Sequence, residues 1–107
     1  MQMLDQQIQE LVEKMRPPEE IRDQLDIHYS FDGNELILLE VRPRWNQPEQ
    51  ILKMPIARAR YIKARGVWKL YWMRASGAWQ LYEPAEYGTI VHVFKAIDHD
   101  KYGCFMG

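Results

Sequence analysis

The side chains in this chain that could do chemistry are cations set among aromatic rings. Residues 42–80 hold nine Lys or Arg and a single acid, Glu49, together with all four tryptophans, Trp45, Trp68, Trp72 and Trp79. That stretch carries +8 while the whole chain carries −1, so its flanks are strongly acidic. Guanidinium and ammonium groups neutralise phosphates, and exposed tyrosine rings stack on unpaired bases. A basic, aromatic middle therefore implies either an anion-binding surface or a fold whose basic strands pair with acidic segments. Arg58, Arg60 and Lys69, with Tyr71, Gln80 and Tyr82, form the candidate binding set.

The other reactive groups do not assemble in the sequence. His92 and His99 stand nearly two helical turns apart, and His28, Asp98 and Asp100 complete no ligand pattern around them. With no HxxxH pair and no CxxC, no metal site is expected. Cys104 has no base beside it and is expected to be a packed or tail residue rather than a nucleophile. Glu83 and Glu86 are close only in sequence, which says little about a carboxylate pair. Gly66, Gly77 and Gly88 stand singly, without the spacing of a phosphate loop. No cofactor is implied, and an enzyme of unknown class ranks behind two binding readings.

The elements that must position the cations follow from hydrophobic period. Leu4, Ile8, Leu11, Val12 and Met15 lie on one helical face, and Pro17-Pro18 ends that helix. Pro18 to Arg22 could open a short second helix. From Leu25 the period falls to two, and Leu25–Phe31 reads as a strand with Leu25, Ile27, Tyr29 and Phe31 on one side. Asp32-Gly33-Asn34 is turn chemistry before a second strand, Glu35–Arg42. Pro43–Met54 reads as a loop carrying Trp45. Three further strands are expected at Pro55–Ile62, Val67–Arg74 and Ala78–Glu83, and a helix capped by Thr89 with Ile90, Val93, Phe94 and Ile97 as its stripe.

A four-residue turn at Lys63–Gly66 would set Tyr61 opposite Trp68, Ala59 opposite Leu70 and Ala57 opposite Trp72. An even-length turn around Ser76-Gly77 would add Trp79 and Leu81 to that core face. Arg58, Arg60, Lys69, Tyr71, Gln80 and Tyr82 would then share the other face, with Arg60 directly across from Lys69. Like charges so placed cost stability unless an acid, solvent or a bound anion offsets them. On the second strand, Ile37, Leu39 and Val41 point away from Leu36 and Leu38, so both sides of that strand need cover. The cover could be the tail with Phe105 and Met106, the Trp45 loop, or a second subunit.

Several strings, taken together, resemble a family of short bacterial proteins catalogued as domain of unknown function number three thousand and twenty-four. They are Pro55-Ile56-Ala57-Arg58-Ala59-Arg60-Tyr61, Trp68-Lys69-Leu70-Tyr71-Trp72-Met73-Arg74, Trp79-Gln80-Leu81-Tyr82-Glu83-Pro84 and the terminal Gly103-Cys104-Phe105-Met106-Gly107, with Arg22-Asp23-Gln24-Leu25 upstream. The resemblance covers about three-quarters of the chain. It implies a small stand-alone bacterial domain and carries over no catalytic or binding residue.

The chain is expected to be one α+β domain over residues 1–107, a five-stranded antiparallel meander with the N- and C-terminal helices packed on one face. One cysteine allows no intramolecular disulfide, the residues after Met1 turn polar at once, and no apolar run could span a bilayer. A soluble cytoplasmic protein with no membrane partner is the expectation. Nucleic acid or another polyanion is the first expected partner. A protein partner, including a second copy, on the strand-two stripe is the alternative.

Overall fold

Two amphipathic helices and a meander account for nearly every apolar residue. The structure, a computed structural model, describes residues 2–82 and 86–105. Helix α1 (Gln2–Met15) buries Ile8 and Val12, with Leu4, Leu11 and Met15 partly covered. Asp5 in its first turn and Lys14 in its last complement the helix dipole. A single 3-10 turn (Glu19–Ile21) follows the two prolines. Then come β1 (Asp26–Phe31), β2 (Glu35–Pro43), β3 (Ile51–Ile62), β4 (Val67–Met73), β5 (Trp79–Leu81) and α2 (Ile90–His99). The sheet order is β1-β2-β3-β4-β5 with every neighbour antiparallel.

Turn chemistry fixes most of the register. Asp32 Oδ1 accepts from the Asn34 and Glu35 amides at 2.9 and 2.7 Å, and Gly33 takes φ 101°, so the β1–β2 hairpin closes there. Those amide donors hold the Asp32 carboxyl below its ordinary value. Between β3 and β4 the four-residue turn sets Tyr61 opposite Trp68, Ala59 opposite Leu70 and Ala57 opposite Trp72, as expected. Ala57, Ala59, Trp68, Leu70, Leu36, Leu38 and Ile27 are buried beneath both helices. Thr89 Oγ1 accepts from the His92 amide at 3.2 Å and caps α2, whose Ile90, Val93, Phe94 and Ile97 are all buried.

Two features differ from expectation. Strand β3 begins at Ile51 rather than Pro55, and the loop shrinks to 44–50. Leu38 pairs with Ala57 but Leu39 pairs with Pro55, which leaves Ile56 as the extra residue of a β-bulge. The second difference lies after β4. Met73 pairs with Trp79, Trp72 with Gln80 and Tyr71 with Leu81, so five residues, an odd number, connect the strands. The Arg74 amide donates to the Ala78 carbonyl at 2.9 Å, closing this loop, and Gly77 at φ 88° makes its bend. One residue more than an even turn flips every β5 side chain to the other face. Leu81, expected in the core, is therefore exposed, and Trp79 is half-buried on the opposite face.

The described tail packs on the helix side of the sheet rather than over the outer side of β2. Phe105 is buried with its ring 4.8 Å from that of Tyr82. Asp100 takes the left-handed conformation after α2, and its Oδ1 accepts from the amides of Cys104 and Phe105 at 2.8 and 3.1 Å. Met106 and Glu83 lie outside the described residues.

Candidate binding face of the sheet

With both helices on one side, the other side of the sheet is where exposed side chains collect. One row crosses all five strands on that outer face: Ser30, Ile37, Arg58, Tyr71 and Leu81. The next row places Glu35 opposite Arg60 and Arg60 opposite Lys69. On the other side of the first row lie His28 and Leu39, on β1 and β2, and Met73 and Trp79, on β4 and β5. Four of the six residues of the candidate set, Arg58, Arg60, Lys69 and Tyr71, are thus brought together.

Gln80 and Tyr82 are not among them. The five-residue loop turns both to the helix side, opposite Trp72 and beside Leu70, respectively. There the Tyr82 ring packs between Phe105 and Tyr102, with centroids 4.8 and 5.6 Å away. Trp79 and Leu81 take their places on the outer face. The Gly77 turn was visible in sequence, but its odd length was not.

Arg58 is held where it is. Its Nη2 lies 3.0 Å from Glu35 Oε2, and its guanidinium carbon sits 5.3 Å from the centre of the Tyr71 ring. Its Nε is buried without an acceptor among the described residues, a cost that the ion pair and the ring contact must offset. Among the described residues Arg60 and Lys69 make no ion pair, although they face each other across β3 and β4. Among the described residues Glu35, with Asp32 beside it, stands against Arg58, Arg60 and Lys69, so the described part of the patch keeps a net positive charge. Of the acidic segments that could have neutralised it, Glu13 pairs with Arg16 at 3.0 Å, Glu83 lies outside the described residues, and no ion pair joins Glu10, Glu19 or Glu20 to the patch among the described residues.

The model of the family described as a domain of unknown function, DUF3024, matches residues 1–107. The chain belongs to the DUF3024 family. No curated protein and no solved structure matches it. The family description names no activity, so the DUF3024 chain must be read from its own surfaces. No described helix is long and apolar enough to cross a membrane.

Several of the remaining reactive groups of this DUF3024 chain have structural partners. Among the described residues, no cluster of three or more His, Cys, Asp or Glu could hold a metal. His92 Nδ1 lies 3.1 Å from Thr89 Oγ1. Burial, with the nearby Asp100 charge, pushes the Cys104 thiol up, which makes it a poor nucleophile at neutral pH. His28 is 3.4 Å from Asp26, a buried carboxylate gripped by Arg16 Nε and Nη2 at 2.9 and 2.8 Å. That grip ties the end of α1 to the start of β1.

Proposed function

We propose that the outer sheet face binds a polyanion, with single-stranded nucleic acid as the fitting class. Support comes above all from Arg60 and Lys69, two facing cations without ion-pair partners among the described residues. The half-buried ring of Tyr71 lies in the next row of the same face, and that of Trp79 in the row beyond it. An open antiparallel sheet with helices on its far side offers bases a flat stacking platform, and the cations supply phosphate contacts. Arg58 contributes less, since Glu35 and Tyr71 already engage it. Trp79 replaces Tyr82 as a stacking ring, and Gln80 drops out.

With about three phosphates contacted on a single strand, the log–log salt slope should be about −2, at about −0.7 per contact. A fourfold rise in salt should then weaken binding about twentyfold. Fluorescence anisotropy with a random single-stranded oligonucleotide measures both. Charge reversal, Arg60→Glu with Lys69→Glu, should abolish binding, whereas Gln80→Glu on the helix side should leave most of it. Salt-independent or absent binding at low ionic strength would end this reading. A protein partner is the second reading, favoured by Leu81, exposed beside half-buried Trp79 at one end of the same face, with half-buried Ile37 and Leu39 at the other.

A further inference from the structure

The β2–β3 hairpin continues past the rest of the sheet as a two-stranded arm. β4 reaches β3 only from Ala57 onward, while β3 begins at Ile51. Among the described residues, 51–55 therefore pair with β2 alone and leave their other edge open. The Arg44 amide donates to the Gln50 carbonyl at 2.9 Å, which makes these two a hydrogen-bonded pair at the arm's tip. Alternation along an antiparallel ladder then turns the N–H and C=O of Ile51 and Lys53, and the C=O of Pro55, towards the open edge. Pro55 is tolerated for the same reason, since its missing N–H is not one that β2 needs.

The arm also carries four of the seven exposed large apolar side chains among the described residues, the others being Ile21, Leu81 and Tyr102. Trp45 is 93% exposed, Ile51 55%, Met54 41% and Leu52 37%. Summed over both faces of the arm and its tip, they leave on the order of 500 Å² uncovered, comparable to the largest apolar patch of a typical monomer but divided between two faces. The β1 edge is also a terminal strand edge, but its exposed side chains include His28 and Ser30, which are polar. β5 offers three residues only.

We propose that the arm is a dimer interface in which two copies pair their open β3 edges antiparallel, about a two-fold axis at Lys53. This occupant fits the residue order. In that register Leu52 meets the partner's Met54, and Ile51 meets the partner's Pro55. The two Lys53 residues exchange N–H···O=C bonds, and each Ile51 N–H reaches a Pro55 carbonyl. Every edge-facing donor is satisfied, and the residue without a donor stands at the end of the ladder. Such pairing is isologous and closes at two copies.

The tip carrying Trp45 then runs past the partner's Pro55. It meets the shallow cleft of about 440 Å³ lined by Ile56, Met73, Arg74 and Phe105. The four apolar side chains of both copies contribute at most about 1,000 Å², and strand backbone and cleft set an upper limit near the roughly 1,200 Å² of a specific interface. Directly opposed residues share a face, so both outer faces would lie on one side as a continuous platform. The dimer does not depend on the polyanion reading, because its test contains no nucleic acid.

Lys and Pro are also the residues by which an edge strand resists pairing, so the monomer is the competing outcome. Light scattering coupled to size exclusion, with concentration raised about a hundredfold, should move the mass from 12.8 kDa towards twice that value. Lys53→Pro removes only the donor that faces the partner, and should hold the chain monomeric without lowering its melting temperature at low concentration. Lys53→Glu mixed with the unaltered chain should form a heterodimer up to about tenfold tighter than either homodimer, because opposite charges replace like ones. A chain that stays monomeric throughout overturns the proposal. So does a dimer that Lys53→Pro leaves intact, or a mixture that associates no better than its components.

Discussion

Asp26 offers the sharpest test of how the first helix is fastened to the sheet. Arg16 donates Nε and Nη2 to its two oxygens at 2.9 and 2.8 Å, and the Ile27 amide donates to Oδ1 at 2.7 Å. These bonds, the Arg16 pair first among them, outweigh the opposing effect of burial and lower the carboxyl from 3.8 to about 2. At about 1.4 kcal/mol per pKa unit the difference corresponds to about 2 kcal/mol of stability. The group is ionised in both states above about pH 5, so that contribution is fully present at neutral pH. As pH falls the unfolded chain takes up the proton first, near 3.8, and the contribution is lost progressively until the folded group protonates near 2.

Asp26→Asn should therefore destabilise the chain by about 2 kcal/mol at pH 7 and by progressively less towards pH 2. Urea titration of both chains across that range reads the gap directly. Comparing the two cancels the other carboxylates, which titrate in each. If the gap stays constant from pH 6 to pH 2, the Arg16–Asp26 bond does not carry the shift, and the account of this corner is wrong.

Three further outcomes follow from burial and register. Trp68→Ala should cost about 3–5 kcal/mol because the ring is 3% exposed; Trp79→Ala, on the outer face, should cost much less by denaturant titration, and equal losses would invert the β5 assignment. Phe105→Ala should lower the melting temperature, because a buried ring in contact with Tyr82 is removed; an unchanged melt would mark the tail as unattached. The Cys104 thiol should alkylate slowly in the folded chain at neutral pH and at a normal rate in urea, since burial raises its pKa; rapid labelling of the native chain contradicts that environment.

Most of the architecture could be read before any coordinates because its signals are local. The 3.6-residue period of Ile8 and Val12, the alternation of Ile27, Tyr29 and Phe31, and the prolines after Met15 each report on a neighbourhood of a few residues. The β3–β4 register followed because a four-residue turn ending in Gly66, at φ 62°, is itself local. The candidate face was only partly legible. Arg58, Arg60, Lys69 and Tyr71 lie on strands whose pairing was correct. Gln80 and Tyr82 were misplaced because one residue in the loop after Met73 reverses a strand.

Sequence by itself determined the element types, the antiparallel meander, the alanine-and-tryptophan core and the adjacency of Arg60 and Lys69. Each rests on side-chain period or on the chemistry of a short turn. Tertiary structure alone decided that Glu35, distant in sequence, is the acid that reaches Arg58, and that Trp79 rather than Tyr82 shares its face. It alone showed that β3 runs on through Pro55 as an arm. A proline stops a strand only where its missing N–H is needed, and which edge that N–H would face is settled by pairing, not by composition.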